Sequence, residues 1–414
     1  MRGKFAGRMA TMQRSFIREI LKVAQDPNVI SFAGGLPNPD YFPVAPLRAA
    51  ADKVFAHHGA RALQYAPTLG SQELRQFIAD RYKTTCGLDV PADDILITNG
   101  SQQGLELVAK ILLDPGDHVI LESPSYLGGI QAFSLFQPCF VTTPLRDDGP
   151  DTAVLAQHAA HPQAKLFYAL PNFQNPTGIT YSAAKREEVA AILNENQLFF
   201  IEDDPYRELR FMGEDLPPLT MYGEPEAASG RERAFLLGSF SKIVAPGFRM
   251  GWIVAQPELM DKLIIAKQAS DLHSNYVSQL ILLQYLQDND LDAHIATIKA
   301  AYGRQRALMV SMIEELFPAN VQFTLPEGGM FLWITLPESM SAMSLFEAAV
   351  KRNVVFVPGD PFHVDGTGQN TLRLNFSNTD AAAIEAGMTR LAEALREQWE
   401  IGRTCPELAE GLGD

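Results

Sequence analysis

The stretch "LLGSFSKIVAPGFRMGWIV", residues 236–254, decides how this chain is read. It opens on an apolar run and passes two serines and Lys242. It then turns at Pro246 and Gly247, reaches Arg249 and closes on a second apolar run. Each run has the length of a buried strand. A charge between two buried strands needs a partner or a covalent use. Lys242 can attack a carbonyl if it is kept neutral, and both burial and the nearby Arg249 cation favour the neutral amine. A lysine at a strand end can equally snorkel to water.

Outward from this stretch the chain alternates short strands with helices. "DDILITNG" (93–100), "DHVILESP" (117–124), "PCFVTTPL" (138–145), "AKLFYALP" (164–171) and "LFFIEDDPY" (198–206) read as strands. The two runs around Lys242 make seven. "GSQELRQFIADRY" (70–82), "SQQGLELVAKILL" (101–113) and "SAAKREEVAAILNENQ" (182–197) read as helices, and residues 257–287 as one long helix. Such alternation predicts an α/β fold, with a mainly parallel seven-stranded sheet covered by helices. After about residue 295 longer helices carry a few strands, "VQFTLP", "GMFLWITLP" and "TLRLNFS", which predicts a smaller α+β domain. The expected division is an N-terminal segment over 1–50, a large domain over 51–295 and a small domain over 296–414.

Composition narrows the function. The 414 residues are 46% apolar and 20% charged, as in a globular soluble protein with two domains. The formal charge of −15 disfavours a nucleic-acid partner. Cys86, Cys139 and Cys405 are odd in number and widely spaced, which argues against a disulfide framework or a cysteine zinc site and suits a reducing cytoplasm. No apolar run is long enough to span a membrane, and the basic N-terminus lacks the apolar core of a secretory signal.

Polar residues gather where the apolar strands stop. In "TNGSQQG" (98–104), a glycine turn leads into a helix opening at Ser101, which is either a plain cap or an anion cup. In "PNFQNPTG" (171–178), Asn175 is a turn former or a donor to a ligand oxygen. In "IEDDPY" (201–206), three acids close a strand, as a solvated end or as a partner for a cationic ring nitrogen, with Tyr206 three residues on. No histidine stands at metal-ligand spacing nearby. Arg249 adds a grip suited to phosphate. One ligand would satisfy all four features: a phosphate, a cationic ring nitrogen, a ring oxygen and an aldehyde, as in pyridoxal 5′-phosphate.

The chain resembles the fold-type I pyridoxal-phosphate aminotransferases of classes I and II, and within them the 2-aminoadipate and kynurenine aminotransferase branch. "ISFAGGLPNPDYFP", "LQYAPTLG", "NGSQQGLEL", "PNFQNPTG", "EDDPYRELRF", "GSFSKIVAPGFRMGW", "PEGGMFLW" and "NTLRLNFS" carry the resemblance in the family's order. It implies an aspartate-aminotransferase-like fold and transamination between an L-2-amino acid and a 2-oxo acid by ping-pong kinetics. It implies Lys242 as the Schiff-base lysine and Asp203 as the partner of the pyridine nitrogen. Tyr206 and Asn175 would meet the ring oxygen, and Tyr126 the ring face. Ser101, Gln102, Ser239, Ser241 and Arg249 would hold the phosphate. Arg373, with Asn175, would clamp the substrate carboxylate, and Gly35 would bring backbone close to it. Tyr65 would reach the phosphate of a neighbouring subunit, which implies a homodimer with shared active sites.

Arg18, in "SFIREIL", matches a position that can pair with a distal substrate carboxylate. The residues at helical spacing from it, Arg14, Ser15, Leu21 and Lys22, are not acidic, so no helical ion pair holds it. An ordinary solvated helix residue is the alternative. Two rival functions share this fold: a pyridoxal-phosphate lyase or decarboxylase, and a ligand sensor that elsewhere follows a winged-helix DNA-binding domain. "FAGGLP" begins at residue 32, so no such domain is expected here.

Overall fold

The computed structural model describes residues 5–10, 20, 26–222 and 232–404. A two-residue strand, β1 (Ile30–Ser31), comes first and pairs in parallel with β12 (Val354–Val355). The large sheet is built from β2 (Ile95–Asn99), β3 (His118–Ser123), β4 (Cys139–Arg146), β5 (Gly149–Pro150), β6 (Ala164–Ala169), β7 (Phe199–Asp203), β8 (Ala234–Ser239) and β9 (Met250–Val254). Their spatial order is β2-β9-β8-β7-β6-β3-β4-β5. All seven expected strands are present, and the short β5 extends the edge as a hairpin with β4. The pairs β8–β7, β7–β6, β6–β3 and β3–β4 are parallel, whereas β9 runs against both of its neighbours.

Helices cover both faces, so β8 and β9 are buried along their whole length and read as apolar runs. Caps fix where helices begin. Ser182 accepts from the amide of Lys185 to start Ala183–Asn196, and Ser71 does the same for Gln72–Cys86. The long helix expected over 257–287 is two helices, Pro257–Ser270 and Tyr276–Asp288. Leu272 takes a left-handed φ of 68°, and the Asn275 side chain caps the second helix by accepting from Ser278. Local turn chemistry here outweighs a continuous apolar pattern.

A second, four-stranded sheet has the order β10 (Gln322–Phe323), β11 (Phe331–Thr335), β14 (Thr371–Asn375) and β13 (Val357–Pro358), all antiparallel. Segment 32–36 is bonded along it. Asn375 donates its amide to Phe32 and its side chain to Gly34, and Ser377 donates to Leu36. Residue 35 is thereby carried to the carboxyl edge of the large sheet.

Candidate active site

The carboxyl ends of the parallel strands define one edge, and the turns beyond them carry the polar residues. β2 leads to Ser101, β3 to Tyr126, β6 to Asn175, β7 to Tyr206 and β8 to Lys242. Because β9 runs the other way, Arg249 enters from the same edge.

Lys242 is half-buried and its Nζ donates to the Gly35 carbonyl at 3.0 Å. The ammonium lies 5.9 Å from the centre of the Tyr206 ring. Desolvation, then the charges of Arg373 and Arg249, push its pKa down to about 8. Asn175 Nδ2 lies 3.4 Å from the Tyr206 hydroxyl, and Arg373 Nη1 donates to Asn175 Oδ1 at 2.7 Å. Arg373 also donates to the Ala33 carbonyl at 2.8 Å and lies 4.3 Å from the Phe331 ring centre. Its buried Nε has no partner among the described residues, and burial brings its pKa down to about 10.

Asp203 is buried beneath these groups. Its Oδ2 accepts from the Tyr168 hydroxyl at 2.9 Å, while its Oδ1 has no partner among the described residues. Burial pushes its pKa up to about 7, the Tyr168 hydrogen bond opposes this, and the Asp204 charge adds to it. An unpartnered buried carboxylate oxygen is costly unless a cation or donor meets it.

The residues of the candidate anion cup come from three turns. Gly100 precedes the helix Ser101–Leu112 with φ 73°, and a side chain there would come within 2.5 Å of Arg249 Nη2. The first turn of that helix therefore presents free amides directly beside the guanidinium. Arg249 is itself left-handed, at φ 50°, and its side chain makes long contacts of 3.4 and 3.5 Å to the carbonyls of Asn99 and Pro246. Ser239 and Ser241 are joined hydroxyl to hydroxyl at 2.9 Å. Gln102 donates to the Gly128 carbonyl at 2.8 Å, at the start of the helix that Tyr126 precedes.

Two of the named residues stand apart. Tyr65 is 79% exposed, with its ring edge-on to His273, and forms no hydrogen bond or ring contact with this cluster among the described residues. Arg18 lies outside the described residues.

The acids of "IEDDPY" are not a solvated strand end, because all three are buried. Glu202 accepts from the amides of Leu219 and Thr220 and faces Arg186 at 4.0 Å. Asp204 pairs with Arg207 at 3.2 Å and accepts from Asn172 at 2.9 Å. Of the three, only Asp203 is left with an open oxygen. Sequence reasoning also missed a buried carboxyl, Glu122, which accepts from Tyr181 and from Gln174, the residue before Asn175. Its burial pushes its pKa up to about 8. An acid inside "DHVILESP" was the available signal.

Among the described residues no group of three or more His, Cys, Asp or Glu side chains could hold a metal, and no helix is long and apolar enough to cross a membrane. The donor set fits pyridoxal phosphate instead. An open carboxylate oxygen suits a ring nitrogen, a lysine with no acidic partner among the described residues suits an aldehyde, and the candidate cup suits a phosphate.

A fold of this kind, with a lysine and an open buried acid at one sheet edge, defines a pyridoxal-phosphate enzyme. Residues 28–391 match the model of the family "Aminotransferase class I and II", and the chain belongs to that family. The chain is 41% identical to the 2-aminoadipate transaminase of Thermus thermophilus, over 95% of this chain and 96% of that protein. It is 39% identical to the aromatic-amino-acid aminotransferase 1 of Thermococcus litoralis, over 95% and 94%. Its structure matches LysN, an α-aminoadipate aminotransferase from Thermus thermophilus solved with N-(5′-phosphopyridoxyl)-L-leucine. That match has a TM-score of 0.88 at 38% identity and covers 96% of this chain and 98% of the other. The protein is a pyridoxal-phosphate-dependent aminotransferase.

Proposed function

We propose that Lys242 is both the covalent anchor of the cofactor and the proton carrier of the reaction. The bound cofactor supplies an electron sink that makes the substrate α-proton acidic. Lys242, poised near neutrality by its surroundings, takes that proton and returns it nearby, which is general acid–base work. Asp203 holds the ring nitrogen cationic through its open Oδ1. Tyr206 and Asn175 donate to the ring oxygen, and Tyr126 covers the ring face. Ser101, Gln102, Ser239, Ser241 and Arg249 hold the phosphate. Arg373, pinned by Asn175 and Ala33, presents its free Nε side to the substrate carboxylate, and Gly35 sets the backbone against it. The observation that carries this reading is the open oxygen of Asp203 together with a lysine that has no acidic partner among the described residues. Borohydride reduction of the holoenzyme followed by peptide mapping tests it, and label on any lysine other than Lys242 overturns it.

The relatives' names support 2-aminoadipate and aromatic donors, and the leucine adduct in the related structure supports branched-chain ones. 2-Oxoglutarate and glutamate are the expected exchange pair. Arg18 is proposed to meet a distal carboxylate. Arg18→Gln should then lower kcat/KM for glutamate far more than for leucine, and an equal fall removes that role. A donor and acceptor panel, read as cofactor absorbance in half-reactions, ranks the substrates.

A homodimer belongs to the same proposal. Tyr65 is proposed to serve a second copy's phosphate rather than its own, and its 79% exposure supports that reading. Sedimentation, with cofactor affinity of Tyr65→Phe, tests it. The division at 50 and 295 is likewise proposed, although the helix Leu291–Leu316 crosses the second boundary without a break. The widely spaced cysteines support a reducing cytoplasm.

A further inference from the structure

We propose that Tyr168 is a positioning residue that sets where the proton shared by Asp203 and the cofactor's ring nitrogen resides. This rests on the reading of Asp203 as the ring-nitrogen partner and deepens it. Tyr168 donates to Oδ2 at 2.9 Å and leaves Oδ1 as the open oxygen. The donor is fixed in place. Its ring is fully buried, and Phe133 meets it edge-on at 5.2 Å. The backbone of the helix Leu127–Ser134 presses so close that a side chain at Gly129 would come within 2.6 Å of the ring.

The chemistry follows from hydrogen bonding to one protonation state. A carboxylate that accepts an O–H bond is a weaker base than one that accepts none. With Tyr168 in place the shared proton lies on the ring nitrogen, and the ring keeps its full pull on the α-carbon. Without it, burial makes Asp203 the better base, the proton returns to Oδ1 and the ring becomes neutral. Asp204, Glu122 and Tyr126 also surround this pair, and as charged groups each would favour a protonated Asp203 or Tyr168. Tyr168 is the group that opposes them at Asp203. Its own hydroxyl is pushed well above the usual tyrosine range by burial, so it remains a donor at every working pH.

The test uses holoenzyme loaded with cofactor labelled with nitrogen-15 in the ring, read by NMR. The wild-type resonance is expected at the protonated position. Asp203→Ala should move it to the neutral position, and Tyr168→Phe should move it most of the same way. kcat should fall about ten- to hundredfold in Tyr168→Phe, as for loss of one hydrogen bond to a charged group. A purely structural role would lower stability without moving the resonance. If Asp203→Ala leaves the resonance in place, the reading of Asp203 fails and takes the proposal with it. If Asp203→Ala moves it and Tyr168→Phe does not, the proposal alone is overturned. Should Tyr168→Phe not fold, 4-aminophenylalanine at 168 keeps the shape with a weaker donor. The resonance should then move part of the way, and an unmoved one overturns the proposal.

Discussion

Two lysines of this protein are withdrawn from water, and they could hardly be treated more differently. Lys267, in the helix Pro257–Ser270, is fully buried. Its ammonium donates to Gln103, Asp271 and Ser274 at 2.7, 2.8 and 2.9 Å. Asp271 in turn accepts from Asn99 at 2.6 Å and from Gln103 at 2.7 Å. Every proton of that ammonium is in use. Lys242 has one carbonyl partner and two arginines for neighbours. Burial lowers the pKa of both, but only for Lys267 does an acid counteract it. Burial alone therefore does not make a lysine reactive. What sets Lys242 apart is that it has no counter-charge among the described residues.

The largest effect that can break this contrast is Lys242→Ala. Turnover should fall by at least about 10⁴-fold, the upper range for losing a general acid–base group. The cofactor should remain bound through the phosphate cup and Asp203. Substantial residual transamination would remove the distinction between the two lysines. Asp203→Asn comes next. Its kcat should fall by about 10²–10⁴-fold, far more than its cofactor affinity, because its work is electronic. Parallel losses in activity and in dialysis-resistant cofactor would make Asp203 structural only.

Lys267→Met should reverse the pattern. It strands the partly exposed Asp271, so denaturant unfolding should show a loss of about 1–3 kcal/mol while kcat changes little. A large kcat loss at unchanged stability would show that Lys267 is more than a strut. The smallest effect concerns pH. Capture of the cofactor aldehyde by the apoprotein needs neutral Lys242, so its rate should rise as pH increases through about 8. An ordinary lysine would defer this rise to about 10.4. Arg373→Leu removes one of the cations that lower the pKa, so stopped-flow mixing should show the inflection at higher pH. An unmoved inflection would remove Arg373 as a cause and leave desolvation and Arg249.

Much of this was legible because the site is made of strand ends. An apolar run that stops on Asp203 or Ser239 announces both the strand and the residue proposed to face the ligand. The seven strands and the cluster of Lys242, Asp203, Tyr206, Asn175 and Arg373 follow from that habit and from the motifs. Residues whose meaning depends on distant partners were hidden. Tyr168 sits inside an apolar strand, and nothing local shows that its hydroxyl ends on an acid 35 positions later. Glu202 and Asp204 looked solvated because Arg186, Asn172 and Arg207 cannot be paired with them by spacing. The break at 271–275 was masked by an apolar pattern that continues across it, although Asn275 carried a capping signal.

The reversed direction of β9 has a mechanical consequence. A single hairpin connection, between Ser239 and Met250, carries both the amine proposed to bind the aldehyde and the guanidinium proposed to grip the phosphate. On that proposal both ends of the cofactor would be tethered to one short ribbon, whose two legs are locked rung by rung. A slip of one leg against the other would pull the two tethers out of step. The span between them is therefore set by the sheet itself, like two pegs on one board, and not by how separate loops settle.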